Sequence, residues 1–185
     1  TDLALQRDEA WLRVRGGKVS SESLFAKALQ MFEEDGELYA RTAHYLEAGD
    51  WLNWMLTGRQ TRILSMAGYR AMWDGAYPSK AFFEALNPGF QSILKKLDAP
   101  VIGPSERAGT ITKQGAELCG LPEGTPVCAA ILDAHVSMAS AGIDGPSKLL
   151  AVMGTSSCHL VLGEHKVEVP GICGVVADGI LPGFY

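Results

Sequence analysis

The chain has 185 residues, of which 47% are hydrophobic and 20% charged, a composition that excludes wholesale disorder. A formal net charge of -5 without a Lys/Arg stripe argues against a nucleic-acid partner, because binding to a phosphate backbone needs clustered cations. No apolar run approaches the roughly 20 residues of a membrane span. Because residues 1–17 also lack a signal-peptide pattern, we expect a cytoplasmic protein without a membrane partner.

The cysteines and the ends of the sequence add two expectations. None of the four cysteines forms a CxxC pair, and three lie in apolar runs where a thiol behaves as a small hydrophobe, which favours a reducing compartment. The sequence starts at Thr1 without a methionine and stops at LPGFY, directly after a Pro-Gly turn signal. We therefore expect a piece of a longer protein.

The first strong pattern along the chain is helical. SSESLFAKALQMFEED places apolar residues at helical spacing, with Ser20 or Ser21 as the N-cap. DWLNWMLTG predicts a second helix that Asp50 caps and Gly58 ends. The apolar face of this second helix is expected to hold Trp51, Leu52, Met55 and Leu56.

Shorter helices and one strand follow. Residues 79–86 and 90–97 have helical patterns separated by NPG, and TKQGAELCGL predicts a further helix that Gly120 stops. PVCAAIL is a continuous apolar run between Pro126 and Asp133. Such a run predicts a strand that is buried on both faces.

The pattern changes after Gly142. IDGPSK is a polar turn, LLAVMGTSSCHLVLG is typical of two strands around a turn, and GICGVVADGI predicts another extended stretch. A β-hairpin or β-meander is therefore expected, and we place a domain boundary at residues 144–148. Helices with a strand before the boundary and a β-rich segment after it predict the α/β class.

Asp133 stands between the apolar strand and a helix of small residues, AHVSMASAG. Open α/β sheets bind ligands at the carboxyl ends of their strands, where a carboxylate can accept a proton from a substrate hydroxyl. An aspartate at this position also serves as an ordinary helix cap. The pattern alone leaves both interpretations open.

The turn GTSS is the second candidate for chemistry. Gly154 permits close approach to the backbone, while Thr155 and Ser156 offer hydroxyl and N–H donors to a phosphate. The same residues are common in the turn of an ordinary β-hairpin. Here too, the pattern alone does not separate a phosphate site from a structural turn.

Two histidines and one tryptophan complete the set of candidates. His135 and His159 lack a neighbouring set of ligands at zinc spacing, so no metal ligands are predicted. Both histidines are interpreted either as structural or as supports for residues that contact a ligand. Trp73 lies beside Arg70 in AGYRAMWD, where the flanking glycine and aspartate indicate a loop. A loop tryptophan next to a cation could line a polar pocket.

Six segments together resemble a known family. GGKVSSE, EAGDWLNWMLTG, AGYRAMWD, ILDAHVSMASAG, MGTSSCH and VPGICGVVADGILPG occur in the same order in the middle of bacterial ribulokinases, a branch of the FGGY carbohydrate kinase family. The resemblance covers essentially the whole chain. LDAHVS together with PGICGVV distinguishes this branch from the glycerol and xylulose kinases.

The resemblance implies two domains of the actin-like, ribonuclease H type, with sugar and ATP in the cleft between them. Residues 1–144 then correspond to the later part of the N-terminal sugar-binding domain, and residues 145–185 to the start of the C-terminal ATP-binding domain. Other parts of the family's cleft have no match in this chain, so the chain alone is expected to be inactive. A homodimer is one assembly open to the full-length protein.

The resemblance also assigns roles. Asp133 matches the base that accepts the proton of the attacking sugar hydroxyl, and so also contacts the sugar. Gly154, Thr155 and Ser156 match a hairpin that contacts the phosphates of ATP, which Mg²⁺ accompanies. Arg70 lies where ribulokinases are expected to carry a sugar-contacting lysine. Guanidinium and ammonium groups differ in size and geometry, so this departure affects the sugar preference more than the reaction.

The implied function is ATP-dependent phosphorylation of L-ribulose, or a close ketopentose, to the 5-phosphate in pentose and arabinose catabolism. Two alternatives remain. One is another FGGY kinase with a different polyol or ketose substrate, and the other is a non-enzymatic, actin-like nucleotide-binding protein. Asp133 after a buried strand, next to Arg70 and a loop Trp73, favours a pocket for a small-molecule sugar over the second alternative.

Overall fold

The computed structural model describes residues 2–7 and 9–185. Helices occupy most of the first half of the chain. They are α1 (Asp2–Gln6), α2 (Ala10–Arg13), α3 (Leu24–Glu34), α4 (Gly36–Arg41), α5 (Ala48–Thr57), α6 (Leu64–Ala71), α7 (Lys80–Leu86) and α8 (Ile93–Lys96), with a 3-10 turn at Phe90–Ser92. Two more helices follow, α9 (Lys113–Cys119) and α10 (Asp133–Ser140).

The strands are short and pair two by two. They are β1 (Arg62–Ile63), β2 (Val101–Ile102), β3 (Arg107–Thr110), β4 (Pro126–Cys128), β5 (Leu149–Met153) and β6 (Ser157–Val161). Over the described ranges, β1 pairs with β2 in parallel, whereas β3–β4 and β5–β6 are antiparallel. This mixture of helices and small sheets confirms the predicted α/β class.

The main hydrophobic core lies among the helices of the first half. Phe83 is at its centre, with ring centroids 4.6 Å from Phe25 and 5.8 Å from Phe90. Phe83, Phe90 and Ile93 are fully buried. Aromatic rings at such distances add packing energy beyond the area they bury, so this cluster holds α3, α7 and α8 together.

The first long helix begins later than the sequence pattern predicts. Ser23 is its N-cap, and its hydroxyl oxygen accepts a hydrogen bond from the Ala26 N–H at 3.3 Å. The prediction of Ser20 or Ser21 as the cap was therefore wrong. The Ser20 hydroxyl instead accepts from the Glu22 N–H at 3.0 Å, which closes a turn ahead of the helix.

Helix α5 also differs from its prediction. Glu47 occupies the N-cap position, and the buried residues of the helix are Asp50, Asn53 and Thr57. Trp51 and Leu52, expected on a buried face, are 52% and 49% exposed. The predicted end of the helix is confirmed, since the residue after Thr57 is a glycine in the left-handed conformation.

Asp50 is buried because it serves as the partner of a buried arginine. Arg62 Nη1 lies 3.3 Å from Asp50 Oδ2, and the Ile63 N–H donates to Asp50 Oδ1 at 2.8 Å. The remaining donors of Arg62 reach the carbonyl oxygens of Leu97 and Lys96. Burial raises the pKa of Asp50, which these hydrogen bonds and the Arg62 charge oppose. The network fixes α5 against β1.

Two predicted strands are corrected. The run PVCAAIL forms a strand only over Pro126–Cys128, and its side chains there are exposed or half-buried rather than buried on both faces. In the described chain, β4 pairs with β3 alone, and the backbone then leaves the sheet toward α10. Residues 171–180 contain no strand either, so the β-meander reduces to the hairpin β5–β6.

The segment at residues 171–175 is held by the start of the chain instead of by a sheet. The Gly171 N–H donates to Gly16 O at 3.2 Å, and the Val175 N–H donates to Val14 O at 2.8 Å. Gly16 has a φ of 63°, and a Cβ at this position would overlap the backbone of Ile172. The close approach of the two segments therefore requires glycine at position 16.

Candidate functional site

Asp133 is the first residue of α10, and the N-cap position belongs to Leu132. Its side chain is exposed, and its Oδ1 accepts a hydrogen bond from the Ala134 N–H at 2.8 Å. In the part of the chain that is described, Oδ2 has no hydrogen-bond donor. The carboxylate is thus held in place through one oxygen, while the other remains available to a substrate.

His135 follows Asp133 by two residues in α10, on roughly the opposite side of the helix, and is buried. Its Nδ1 is 3.0 Å from the Ser65 hydroxyl, and the Tyr69 ring packs edge-on against it with centroids 4.5 Å apart. Burial lowers the pKa of His135 to about 4, while the Asp133 charge opposes this shift. His135 is therefore neutral at pH 7 and joins α10 to α6, as the structural interpretation expects.

Arg70 projects from α6 and is already hydrogen-bonded. Its Nε lies 3.1 Å from both carboxylate oxygens of Glu47, and its Nη2 donates to Glu22 O at 3.0 Å. Arg70 also lines a cavity of about 360 Å³, together with Arg15, Lys18 and Tyr69. The guanidinium is fixed at the cavity wall before any ligand binds.

The GTSS sequence forms the turn of the hairpin β5–β6, as predicted. The Gly154 N–H donates to Ser156 O at 3.1 Å, and both residues are exposed, as is Thr155. The nearest atom to a Cβ added at Gly154 is Ser156 O at 3.7 Å. The turn therefore presents an open backbone surface to solvent.

The three candidate groups lie on neighbouring elements without touching one another. A second cavity of about 350 Å³ is lined by His135 of α10, Ser157 of β6 and Tyr69 of α6. Tyr69 lines both cavities, so they are adjacent. The structure thus brings the helix of Asp133, the helix of Arg70 and the hairpin into one region, with His135 as the link.

Trp73 lies in the loop after α6, as predicted. Trp73 does not line the cavity beside Arg70. Its ring packs edge-on against Tyr77, with centroids 4.8 Å apart, and its carbonyl oxygen accepts a hydrogen bond from Arg15 Nη2 at 3.2 Å. The residue that sequence reasoning missed is Arg15, whose RVRGGK context gives only a basic residue before two glycines.

Within residues 2–7 and 9–185, no three His, Cys, Asp or Glu side chains form a group that could hold a metal ion. Over the same ranges, every helix is too short or too polar to cross a bilayer.

Several ribulokinases are similar in sequence to this chain. No family model matches the chain. The chain is 49% identical over 185 residues to a ribulokinase of Mycolicibacterium smegmatis and 45% identical over 185 residues to a ribulokinase of Bacillus licheniformis. These alignments cover 99% and 98% of the chain. The chain is thus similar to ribulokinases over nearly all of its own residues.

The chain spans about a third of the length of these ribulokinases, 33% of the first and 34% of the second. A solved structure of xylulose kinase from Rhodospirillum rubrum superposes with a TM-score of 0.79 at 23% identity, covering 100% of this chain and 38% of that one. This likeness confirms the expected sugar-kinase fold of the actin-like, ribonuclease H type. The identities to ribulokinases likewise confirm the resemblance that the six sequence segments indicate.

Proposed function

We propose that the full-length protein containing this chain is an ATP-dependent carbohydrate kinase that phosphorylates L-ribulose, or a close ketopentose, to its 5-phosphate. The observation that carries the proposal is the identity of 42–49% between this chain and several ribulokinases, over nearly all of its residues. Pentose and arabinose catabolism in the cytoplasm is the corresponding setting.

In the proposed reaction, Asp133 is the general base. Its position at the N-terminus of α10, with Oδ1 held by the Ala134 N–H, supports this role. Oδ2 would accept the proton as the sugar hydroxyl attacks the γ-phosphate, so the incoming oxygen becomes a better nucleophile. Phosphoryl transfer depends mainly on positioning and on stabilisation of charge, so one well-placed carboxylate is sufficient on the sugar side.

Arg70 is proposed to position the sugar. Its ion pair with Glu47 supports the role, because a fixed guanidinium loses little side-chain entropy when it donates to a sugar oxygen. Nε and Nη2 of Arg70 already donate to Glu47 and Glu22, so Nη1 is the nitrogen that would donate to the sugar oxygen. An arginine at a position where a lysine is expected would set a different distance to the sugar, which makes substrate preference worth measuring.

The hairpin turn is proposed to contact ATP. Gly154, Thr155 and Ser156 present exposed N–H and hydroxyl groups, and the space around Gly154 is open, which supports close approach of a phosphate. The described residues hold no ready metal site, so Mg²⁺ would arrive bound to the phosphates of ATP.

The division into two domains remains part of the proposal. Residues 1–144 would end the sugar-binding domain and residues 145–185 would begin the ATP-binding domain. An irregular segment between α10 and β5 supports a boundary here. Met138 and Ile143 nevertheless pack against Leu160 and Leu162, so the two parts share a hydrophobic cluster.

The test is an assay of the full-length protein with ATP against a panel of ketoses and polyols that includes L-ribulose, D-ribulose, xylulose and glycerol. We expect the highest kcat/KM for L-ribulose or another ketopentose. A preference for glycerol or xylulose would favour the alternative of another sugar kinase, and ATP binding without turnover of any sugar would favour the nucleotide-binding protein. The 185-residue chain alone is expected to show no turnover.

A further inference from the structure

Tyr69 lies at the contact between the two helices that carry the proposed sugar-contacting residues. It precedes Arg70 on α6, and it lines both cavities. Its ring packs edge-on against the ring of His135, with centroids 4.5 Å apart. His135 belongs to α10, the helix that begins at Asp133. The Tyr69 ring therefore joins the helix of the proposed base to the helix of the proposed sugar-binding cation.

The buried side chains of α10 are His135 and Met138. Met138 belongs to the hydrophobic cluster that also contains Leu160 of the hairpin. Of these two buried residues, His135 is the one that contacts α6, through the Tyr69 ring and through the Ser65 hydroxyl, which lies 3.0 Å from its Nδ1. The placement of α10 against α6 therefore depends on the groups that pack around His135.

The segment at residues 174–179 packs against the same ring. A Cβ added at Gly174 would lie 3.3 Å from Cδ1 of Tyr69, and a Cβ added at Gly179 would lie 3.0 Å from Cε2. Val176, between these glycines, is itself buried. Such close approach of the backbone leaves the ring little room to move. The position of the ring is thus fixed by two elements besides its own helix.

We propose that Tyr69 is a positioning residue for phosphoryl transfer, whose ring sets the distance between Arg70 and Asp133 by packing against His135. This role rests on the proposed kinase function. A misplacement of about 1 Å in a reacting group can lower a rate about 100-fold. A ring that fixes two sugar-contacting helices against each other therefore affects turnover without any chemistry of its own.

The hydroxyl group of Tyr69 has no part in this role. Burial raises the pKa of Tyr69 to about 12, so the hydroxyl stays neutral at the pH of an assay and no tyrosinate is available as a base. The contacts with His135, Gly174 and Gly179 are made by the ring. Phenylalanine keeps all of the ring atoms, so Tyr69→Phe separates the ring from the hydroxyl.

The test compares the kinetics of the full-length protein and its variants with ATP and the preferred ketose of the panel. Tyr69→Leu removes the ring, and we expect kcat to fall at least about 10-fold while the KM for ATP changes far less. Tyr69→Phe should keep kcat within about 2-fold of the parent. A loss in Tyr69→Phe as large as in Tyr69→Leu would overturn the proposal, because the hydroxyl would then be the acting group.

Tyr77→Leu is the matched control for lost packing. Tyr77 is half-buried like Tyr69, burial raises its pKa to the same value of about 12, and its ring packs edge-on against Phe25 and Trp73. It lines neither of the two cavities. Both leucine variants should lower the Tm measured without ligand, but only Tyr69→Leu should lower kcat. Equal losses of kcat would trace the effect to general stability and overturn the positioning role.

A double-mutant cycle tests whether the ring acts through His135. If it does, adding His135→Asn to Tyr69→Leu should lower kcat little further than the more damaging single change does. Losses of kcat that multiply would show that the two residues act independently, which would overturn the assignment.

Gly174→Ala tests the ring without removing it, and it decides the question if Tyr69→Leu does not fold. The new Cβ would press on Cδ1 of Tyr69 and on Arg15 Nη1, contacts that a small shift of these side chains relieves. We expect kcat to fall about 3-fold or more. Gly145→Ala, at an open glycine, is the control and should keep the kcat of the parent. An unchanged kcat in Gly174→Ala would contradict the role of the ring.

The kinase function and the role of Tyr69 fail in distinguishable ways. If the full-length protein phosphorylates no sugar, both are overturned. If it phosphorylates a ketose and Tyr69→Leu turns over as fast as Tyr77→Leu, the kinase function stands and only the positioning role is overturned.

Discussion

The Tyr69 ring packs edge-on against the His135 ring, with centroids 4.5 Å apart, and so joins the helix of Arg70 to the helix of Asp133. The Ser65 hydroxyl completes the contact through Nδ1 of the histidine. These groups are buried or nearly so, and they set the distance between the two proposed sugar-contacting elements. The neutral state of His135 is therefore a condition for the geometry of the site.

The first prediction concerns acid stability. The pKa of His135 is lowered to about 4 in the folded protein, against an ordinary value of 6.5, so the unfolded chain takes up the proton first. The contribution of this group to stability is complete above pH 6.5 and is lost as the pH falls toward 4. The free energy of unfolding should fall by up to about 1.4 kcal/mol per pH unit in this window, measured by urea denaturation.

His135→Asn should remove this slope, because asparagine does not titrate there. His159→Asn, which changes an exposed histidine on β6, is the control and should retain the slope of the parent. An identical pH dependence in the parent and in His135→Asn would show that His135 is not buried in its neutral form.

The second prediction concerns the buried ion pair of Asp50 and Arg62. Asp50→Asn keeps a bond to the Ile63 N–H but leaves the arginine charge without a partner, so the protein should lose about 3–5 kcal/mol of stability. Chemical denaturation of the full-length protein measures this loss. The matched control is Lys148→Ala, which breaks an exposed ion pair with Asp144 and should cost about 1 kcal/mol or less. Equal effects of the two changes would contradict the assigned burial.

The third prediction tests Asp133 as the general base. Asp133→Asn preserves the shape of the side chain and the bond from the Ala134 N–H, but an amide cannot accept the proton. We expect kcat to fall about 10²- to 10⁴-fold, while sugar binding, measured by calorimetry, changes far less. Asp144→Asn, at an exposed position, should leave kcat unchanged. A kcat for Asp133→Asn within a few-fold of the parent would assign the aspartate to helix stability alone.

The fourth prediction tests the hairpin turn. A Cβ at Gly154 meets only Ser156 O, at 3.7 Å, so Gly154→Val is expected to fold and to obstruct an incoming ligand. The KM for ATP is expected to rise more than the KM for sugar. Gly145→Val is a control at another open glycine. Unchanged ATP kinetics for Gly154→Val would remove the turn from the phosphate site.

The sequence predicted the class of fold and several element ends because those features depend on local chemistry. Ser79 caps α7 through the Phe82 N–H, and Gly120 ends α9 in the left-handed conformation. The buried face of α5 could not be predicted in the same way. Its apolar spacing pointed to Trp51 and Leu52, whereas the burial of Asp50 depends on Arg62, which belongs to another element.

The same distinction between local patterns and long-range contacts applies to the candidate site. Asp133 and the GTSS turn were found from the sequence because each adjoins a recognisable local pattern, a helix start and a hairpin turn. Arg15 was missed because its burial depends on residues 171–175, far along the chain. Neither hydropathy nor helix spacing carries information about a contact made over such a separation.

The contact of residues 14–16 with residues 171–175 has a consequence for protein synthesis. A nascent chain that has left the ribosome only as far as residue 170 carries Arg15 but lacks Gly171 and Val175, whose N–H groups bond to the carbonyl oxygens of Gly16 and Val14. The helices around Phe83 can pack before then, since their residues all precede position 100. The guanidinium therefore stays hydrated until residues 171–175 have left the ribosome, and it becomes enclosed only after the helical core around Phe83 can pack.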